Sequence, residues 1–122
     1  MPKPVIGVVG PCAAGKSTLI RGLRLHGYEP RHIAQEHSYV KDMWQRLVNP
    51  DALIYLHVAF PHTLKRRNLN WTEAEYAEQL RRLAHARQHA DILIDTSELT
   101  PEEVLRAALH GIETQPKRRE DD

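Results

Sequence analysis

Near the amino end, Gly10-Pro11-Cys12-Ala13-Ala14-Gly15-Lys16-Ser17 sets two glycines five positions apart and follows the second with a lysine and a serine. The spacing fits G-x-x-x-x-G-K-[ST], a pattern whose parts suit a polyphosphate. Gly10 and Gly15 permit backbone angles closed to other residues, so the chain can wrap around an anion. Ala13 and Ala14 are small enough for backbone N–H groups to approach phosphate oxygens. A helix beginning near Lys16 would add unpaired N–H groups and the positive end of its dipole. Lys16 would set a mobile charge against the β- and γ-phosphates, and the Ser17 hydroxyl would ligate Mg2+. The candidate nucleotide contacts are therefore Gly10, Cys12, Ala13, Ala14, Gly15, Lys16, Ser17 and Thr18, with ATP or GTP and Mg2+ as the expected ligands. For Cys12 a packing role is expected, with sensitivity to oxidation as the alternative.

Such a turn needs a strand before it and a helix after it. Residues 4–9 (Pro-Val-Ile-Gly-Val-Val) are apolar and β-branched, as in a buried parallel strand. Leu19, Ile20 and Leu23 recur at helical spacing after the turn, and Gly27 marks a helix stop. Residues 31–35 suggest a weaker second strand centred on Ile33. Val40, Met43, Trp44 and Leu47 predict a helix over about residues 39–49, ended by Asn49-Pro50-Asp51. Residues 52–58 are a strong strand, and the basic stretch 61–70 begins as a helix. Thr72 is a candidate N-cap with Glu73 and Glu75 in the first turn. That helix should run to about His89 with Tyr76, Leu80, Leu83 and Ala84 facing the core. Ile92-Leu93-Ile94 is the last strand. Thr100-Pro101-Glu102-Glu103 starts a final helix with a capping box and proline at its first position, running to about Gly111. Residues 113–122 form a polar tail, expected to be disordered. Strands alternating with helices predict an α/β fold with a mainly parallel sheet, in which ligands sit at the carboxyl ends of the strands.

The bulk numbers set outer limits. A chain of 122 residues implies one domain, here residues 1–112, with one modest core. A net charge of +1 gives no electrostatic case for nucleic acid or membrane partners. One cysteine can form neither an internal disulfide nor a four-ligand zinc site, which fits a reducing, cytoplasmic compartment. The apolar run before Gly10 is too short for a signal peptide or a membrane span.

The loop pattern is the Walker A pattern. Absence of Asn-Lys-x-Asp argues against a Ras-like GTPase, and the length against a AAA+ or transporter ATPase. The chain resembles small P-loop kinases of the nucleoside, nucleotide and shikimate kinase type. Beyond the loop, Asn49-Pro50-Asp51-Ala52-Leu53-Ile54-Tyr55-Leu56 is similar to the strand before their lid. Ala90-Asp91-Ile92-Leu93-Ile94-Asp95-Thr96 and the helix from Leu99-Thr100-Pro101 are similar to their final strand and helix. The resemblance implies a three-layer α/β/α fold. It also implies that Glu36, with Trp44 downstream, holds Mg2+ through water or takes the acceptor's proton. Asp95, ending a strand similar to Walker B, is the competing magnesium acid. Lys65-Arg66-Arg67 falls where such kinases carry lid arginines, making Arg66 and Arg67 candidates to clamp the transferring group. His37 is near either acid, with a structural role expected. Trp44 and Trp71 are candidates for stacking on a base or acceptor, or for the core. Arg81, Arg82 and Arg87 are expected to pair on the surface with neighbouring glutamates.

The chain is shorter than this pattern requires. Only one short helix fits between Glu36 and Ala52, the lid has at most about ten residues, and the usual third-strand acid motif is missing. A five-strand sheet should shrink to four, in the order 2-1-3-4. Two readings follow: an ATP-dependent kinase-like protein transferring the γ-phosphoryl group to a small acceptor, or a non-catalytic or slowly hydrolysing nucleotide-binding switch. Oligomeric state, including a homo-oligomer that completes the site, stays open.

Overall fold

In the computed structural model, which describes residues 3–67 and 70–114, the strong local signals become the frame of the fold. Strand β1 (Val5–Val9) leads through the glycine-rich turn into α1 (Lys16–Leu25). Strand β2 (Glu29–His32), a 3₁₀ turn (Gln35–His37) and a short α2 (Met43–Leu47) follow. Then come β3 (Ala52–His57), α3 (Phe60–Arg67), α4 (Glu73–His89), β4 (Ile92–Asp95) and α5 (Pro101–Thr114). The four strands form one all-parallel sheet in the order β2-β1-β3-β4, as the sequence predicts.

Side-chain alternation divides the core into two layers, because successive strand residues face opposite sides. Ile6, Val8, Ile54, Leu56, Ile92 and Ile94 pack beneath α1 and α5, with Leu19, Leu23, Val104 and Ala108 closing that side. Val9, Leu53 and Tyr55 point the other way, against Trp44 of α2 and Leu83 and Ala86 of α4. On β4 only Ile92 and Ile94 are buried; Leu93 and Asp95 face outward.

Two aspartates fix the strand register at the amino ends. Asp51 Oδ2 accepts from Val5 N at 2.8 Å, while Asp51 N donates to Val5 O at 2.8 Å. Asp91 repeats the arrangement on Leu53, with Oδ2 accepting at 2.8 Å and N donating at 2.9 Å. Both long helices begin as their sequences specify. Thr72 and Glu75 exchange side-chain and backbone hydrogen bonds at the start of α4, and Thr100 and Glu103 do so at α5.

Four expectations are corrected. The second strand is not at residues 31–35 but at Glu29–His32, and Ile33 lies just beyond it as a buried residue whose N donates to Val8 O at 3.1 Å. Pairing with β1, which begins at Val5↔Glu29, overrides a local pattern that contains Pro30 and no β-branched run. The helix expected over residues 39–49 shrinks to Met43–Leu47. Val40 and Leu47 stay exposed, and only Trp44 is fully buried. The buried face of α4 comprises Tyr76, Gln79, Leu83 and Ala86, so Ala84 faces solvent and Leu80 is half-buried. Helix α5 runs past Gly111 to Thr114, into the stretch expected to be a tail; residues 115–122 lie outside the described residues.

Candidate functional site

The turn after β1 lies at the carboxyl ends of the strands, between β1's two neighbours β2 and β3. In open α/β sheets, connections leaving in opposite directions open a crevice at this point. Its backbone is unusual. Gly10 has φ 156°, Ala13 φ 71° and Gly15 φ 99°, so three residues of the loop take conformations that L side chains rarely adopt. At Gly10 the need for glycine is absolute in steric terms, because a Cβ there would run into the carbonyl oxygen of Leu56 on β3. Ala13 accepts the left-handed region without being glycine, which costs about 1–2 kcal/mol and marks a loop held by its surroundings.

Those surroundings come from three elements distant in sequence. Gln79 of α4 accepts from Cys12 N at 3.0 Å, and its own Nε2 donates to Cys12 Sγ at 3.2 Å. Arg66 of α3 donates to Ala13 O at 3.1 Å and to Thr96 Oγ1 at 2.9 Å, and closely to Thr96 O. Thr96, at the end of β4, donates to Ala14 O at 3.0 Å. The sequence reading missed Gln79 and Thr96. The signal for Gln79 is a polar residue on the apolar stripe of α4.

Helix α1 starts immediately behind this loop. Its N-cap is Gly15, no side chain caps it, and its first turn holds no acid. The first N–H groups of any α-helix have no intrahelical acceptor, so those of Lys16, Ser17 and Thr18 and the positive dipole end meet whatever occupies the cleft. That cleft has a volume of about 760 Å3 and is lined by residues 12–19 together with His32, Glu36, His37, Arg66, Arg67 and Thr96.

Lys16 lies folded over the loop. Its Nζ donates to Gly10 O at 2.7 Å and Pro11 O at 3.0 Å, and pairs with Glu36 Oε2 at 3.2 Å. Both side chains are buried, at 7% and 5% exposure. Glu36 comes from the 3₁₀ turn after β2, and its other oxygen, Oε1, is buried with no hydrogen-bond partner. An uncompensated carboxylate oxygen at a cleft wall is costly to desolvate. Glu36 Oε2 is also 3.7 Å from Nε2 of the exposed His37. Partial desolvation beside the cleft, and then the Lys16 ammonium, hold His32 below the ordinary histidine range.

The structure thus gathers every candidate loop residue from Cys12 to Thr18, with Glu36, His37, Arg66 and Arg67, around one cleft. Gly10 is the exception: buried behind the loop, it offers its carbonyl to Lys16 instead of an edge of the cavity. Asp95 is exposed outside the lining, where hydrogen bonds from the Ser97 side chain and backbone hold its carboxyl below the usual range. Trp44 belongs to the core, its Nε1 donating to His85 Nδ1 at 3.1 Å. Burial and the neighbouring His89 lower the His85 pKa, which favours the neutral ring that this acceptor role requires. Trp71 packs edge-on against Tyr76 and donates to Thr63 Oγ1 at 2.9 Å, away from the cleft. Arg81 and Arg82 pair with Glu78, as expected, and Arg87 lies over the Tyr55 ring at 5.7 Å. Among the described residues no helix is long and apolar enough to cross a membrane.

Comparison with models of known protein families returns no match, and comparison with curated proteins returns none either. Functional assignment therefore rests on the chemistry of the cleft.

Proposed function

We propose that the chain binds a nucleoside triphosphate with Mg2+ in this cleft and transfers the terminal phosphoryl group to a small acceptor. The observation that carries the reading is the uncapped amino end of α1 behind a left-handed loop, opening onto a cavity with a buried lysine and a buried carboxylate. Its volume of about 760 Å3 falls within the range of about 300–1,000 Å3 usual for small-molecule sites. Amides, dipole and ammonium would together meet the charge of a polyphosphate. Ser17 and Glu36 suit a hard divalent cation, Glu36 through the oxygen that has no partner. Mg2+ would supply charge neutralisation to the phosphates. The phosphate would compete with Glu36 and two carbonyls for Lys16. Arg67, exposed on the cleft wall, is the guanidinium best placed to follow the transferring group.

A second reading, nucleotide binding without efficient transfer, draws support from two observations. Arg66 is engaged by Ala13 and Thr96, and Trp44 is sealed in the core, so two groups expected to serve catalysis or the acceptor have structural partners. A screen separates the readings. Saturation at about 100 times Kd stabilises a fold by about 2.7 kcal/mol, so Mg2+-nucleotides should raise Tm clearly. Candidate acceptors are then tested for phosphorylated product. Product formation lost in Glu36→Gln supports transfer; a Tm shift without product from any acceptor supports the second reading. No shift at millimolar nucleotide contradicts both.

A further inference from the structure

Beside the phosphate loop, Cys12, Glu36 and His37 each bring one potential ligand atom within 4.8 Å of the others. The set is unlike a magnesium site, which takes oxygen ligands. A thiolate, an imidazole and a carboxylate together suit Zn2+ or a similar thiophilic divalent cation. We propose that these three residues form a site for such a cation, with its fourth position open to the cleft.

Three observations carry this. Tetrahedral ligands at zinc distances of about 2.0–2.3 Å lie about 3.3–3.7 Å from one another. Glu36 Oε2 and His37 Nε2 are already 3.7 Å apart, and with all three ligand atoms within 4.8 Å of one another a modest contraction closes the set. Second, Glu36 is about nineteen-twentieths buried, at 5% side-chain exposure, yet its Oε1 has no partner. A buried carboxylate oxygen without a donor is the kind of group that a cation satisfies. Third, the sulfur is oriented from outside the cluster: Gln79 Nε2 donates to Sγ and Gln79 Oε1 holds the Cys12 amide, the kind of support that raises metal affinity when ligands are fixed in advance.

As the metal–sulfur bond forms, the thiol proton passes to solvent, so binding releases one proton from Cys12. Lys16 is the internal competitor, since its ammonium pairs with the same carboxylate. Removing the Lys16 ammonium by substitution should therefore tighten zinc binding. The site shares Glu36 with the proposed magnesium site but does not need Lys16, which nucleotide binding requires.

The test uses the reduced full chain, with Co2+ and Zn2+ as probes. Co2+ should give a thiolate-to-cobalt charge-transfer band and tetrahedral visible bands at one equivalent, displaced by Zn2+. Cys12→Ser should abolish the charge-transfer band. His37→Gln, at an exposed position, should weaken Zn2+ binding by about a hundredfold, the upper end of what losing even a supporting residue costs. Lys16→Met should keep the band and tighten Zn2+ binding, even though it removes the proposed nucleotide contact. His85→Gln, beside His89 and away from the site, should change nothing. The proposal is overturned if Co2+ gives no thiolate band, if Cys12→Ser binds Zn2+ as the parent does, or if His85→Gln alone abolishes binding. A band that survives in Lys16→Met while Mg2+-ATP fails to bind the parent would separate this inference from the nucleotide reading.

Discussion

Replacing Glu36 with glutamine isolates the ion pair at the centre of the site. Two unit charges at the Lys16–Glu36 separation of 3.2 Å attract by about 5 kcal/mol at an effective dielectric of about 20. Desolvation of both ions offsets much of this, whereas removing one partner of a buried pair costs about 3–5 kcal/mol. Lys16 keeps two carbonyl acceptors, at 2.7 and 3.0 Å, so the loss falls at or just below the lower end of that range. Glu36→Gln should lower unfolding stability by about 2–3 kcal/mol. At about 4 °C per kcal/mol for a chain of this size, Tm falls by about 10 °C. Lys16→Met alone should also destabilise, because it leaves the buried Glu36 with only the exposed His37, 3.7 Å from Oε2, beside it. The double variant Lys16→Met/Glu36→Gln should lose less than the sum of its parts, with a coupling of about 2 kcal/mol. Urea unfolding of all four proteins, monitored by circular dichroism, measures the cycle. A coupling indistinguishable from zero, or a Glu36→Gln loss below about 0.5 kcal/mol, refutes the argument that the pair is a strong buried contact.

Two further predictions test the frame. Gly10→Ala forces a side chain onto a φ of 156° and against the Leu56 carbonyl; a loss of about 3 kcal/mol or more is expected from strain and overlap together, and unchanged stability in chemical unfolding contradicts the close approach of loop and β3. Burial pushes the Tyr55 phenol up to about 12. Its folded pKa is raised, so the stabilising term is complete below the unfolded value of about 10 and is lost as pH climbs from there through about 12. Tyr55→Phe should flatten the alkaline fall in stability over that window, and an identical pH profile for the variant rules out the assigned burial.

What the sequence made legible is what short-range chemistry encodes. The β-branched run of β1, the spacing of Gly10, Gly15, Lys16 and Ser17, and the threonine–glutamate caps of α4 and α5 each act within a few residues, and the structure reproduces all of them. Residues 29–32 were illegible as a strand because Glu-Pro-Arg-His carries no pattern; pairing with β1 makes them one. Likewise Val40 and Leu47 stand at helical spacing with Met43 and Trp44, but α2 packs on the core through the buried Trp44 and the partly buried Met43, leaving Val40 and Leu47 exposed. In the site, the sequence points to both Lys16 and Glu36, but their direct pairing depends on where the 3₁₀ turn sets the carboxylate. The sequence suggests Arg66 for the transferring group, while its partners Ala13 and Thr96 stand 53 and 30 residues away in the chain. Gln79 holds Cys12 across 67 residues. Such contacts follow from the packing of α3 and α4, and only the assembled fold displays them.

Isothermal titration of the full chain with Mg2+-ATP, alongside Lys16→Ala, bears most directly on the central claim. The account predicts saturable binding at one site per chain, weakened by about a hundredfold or more in Lys16→Ala while the far-ultraviolet spectrum stays unchanged. Absence of saturable heat at millimolar nucleotide, or equal affinity in the two proteins, contradicts it.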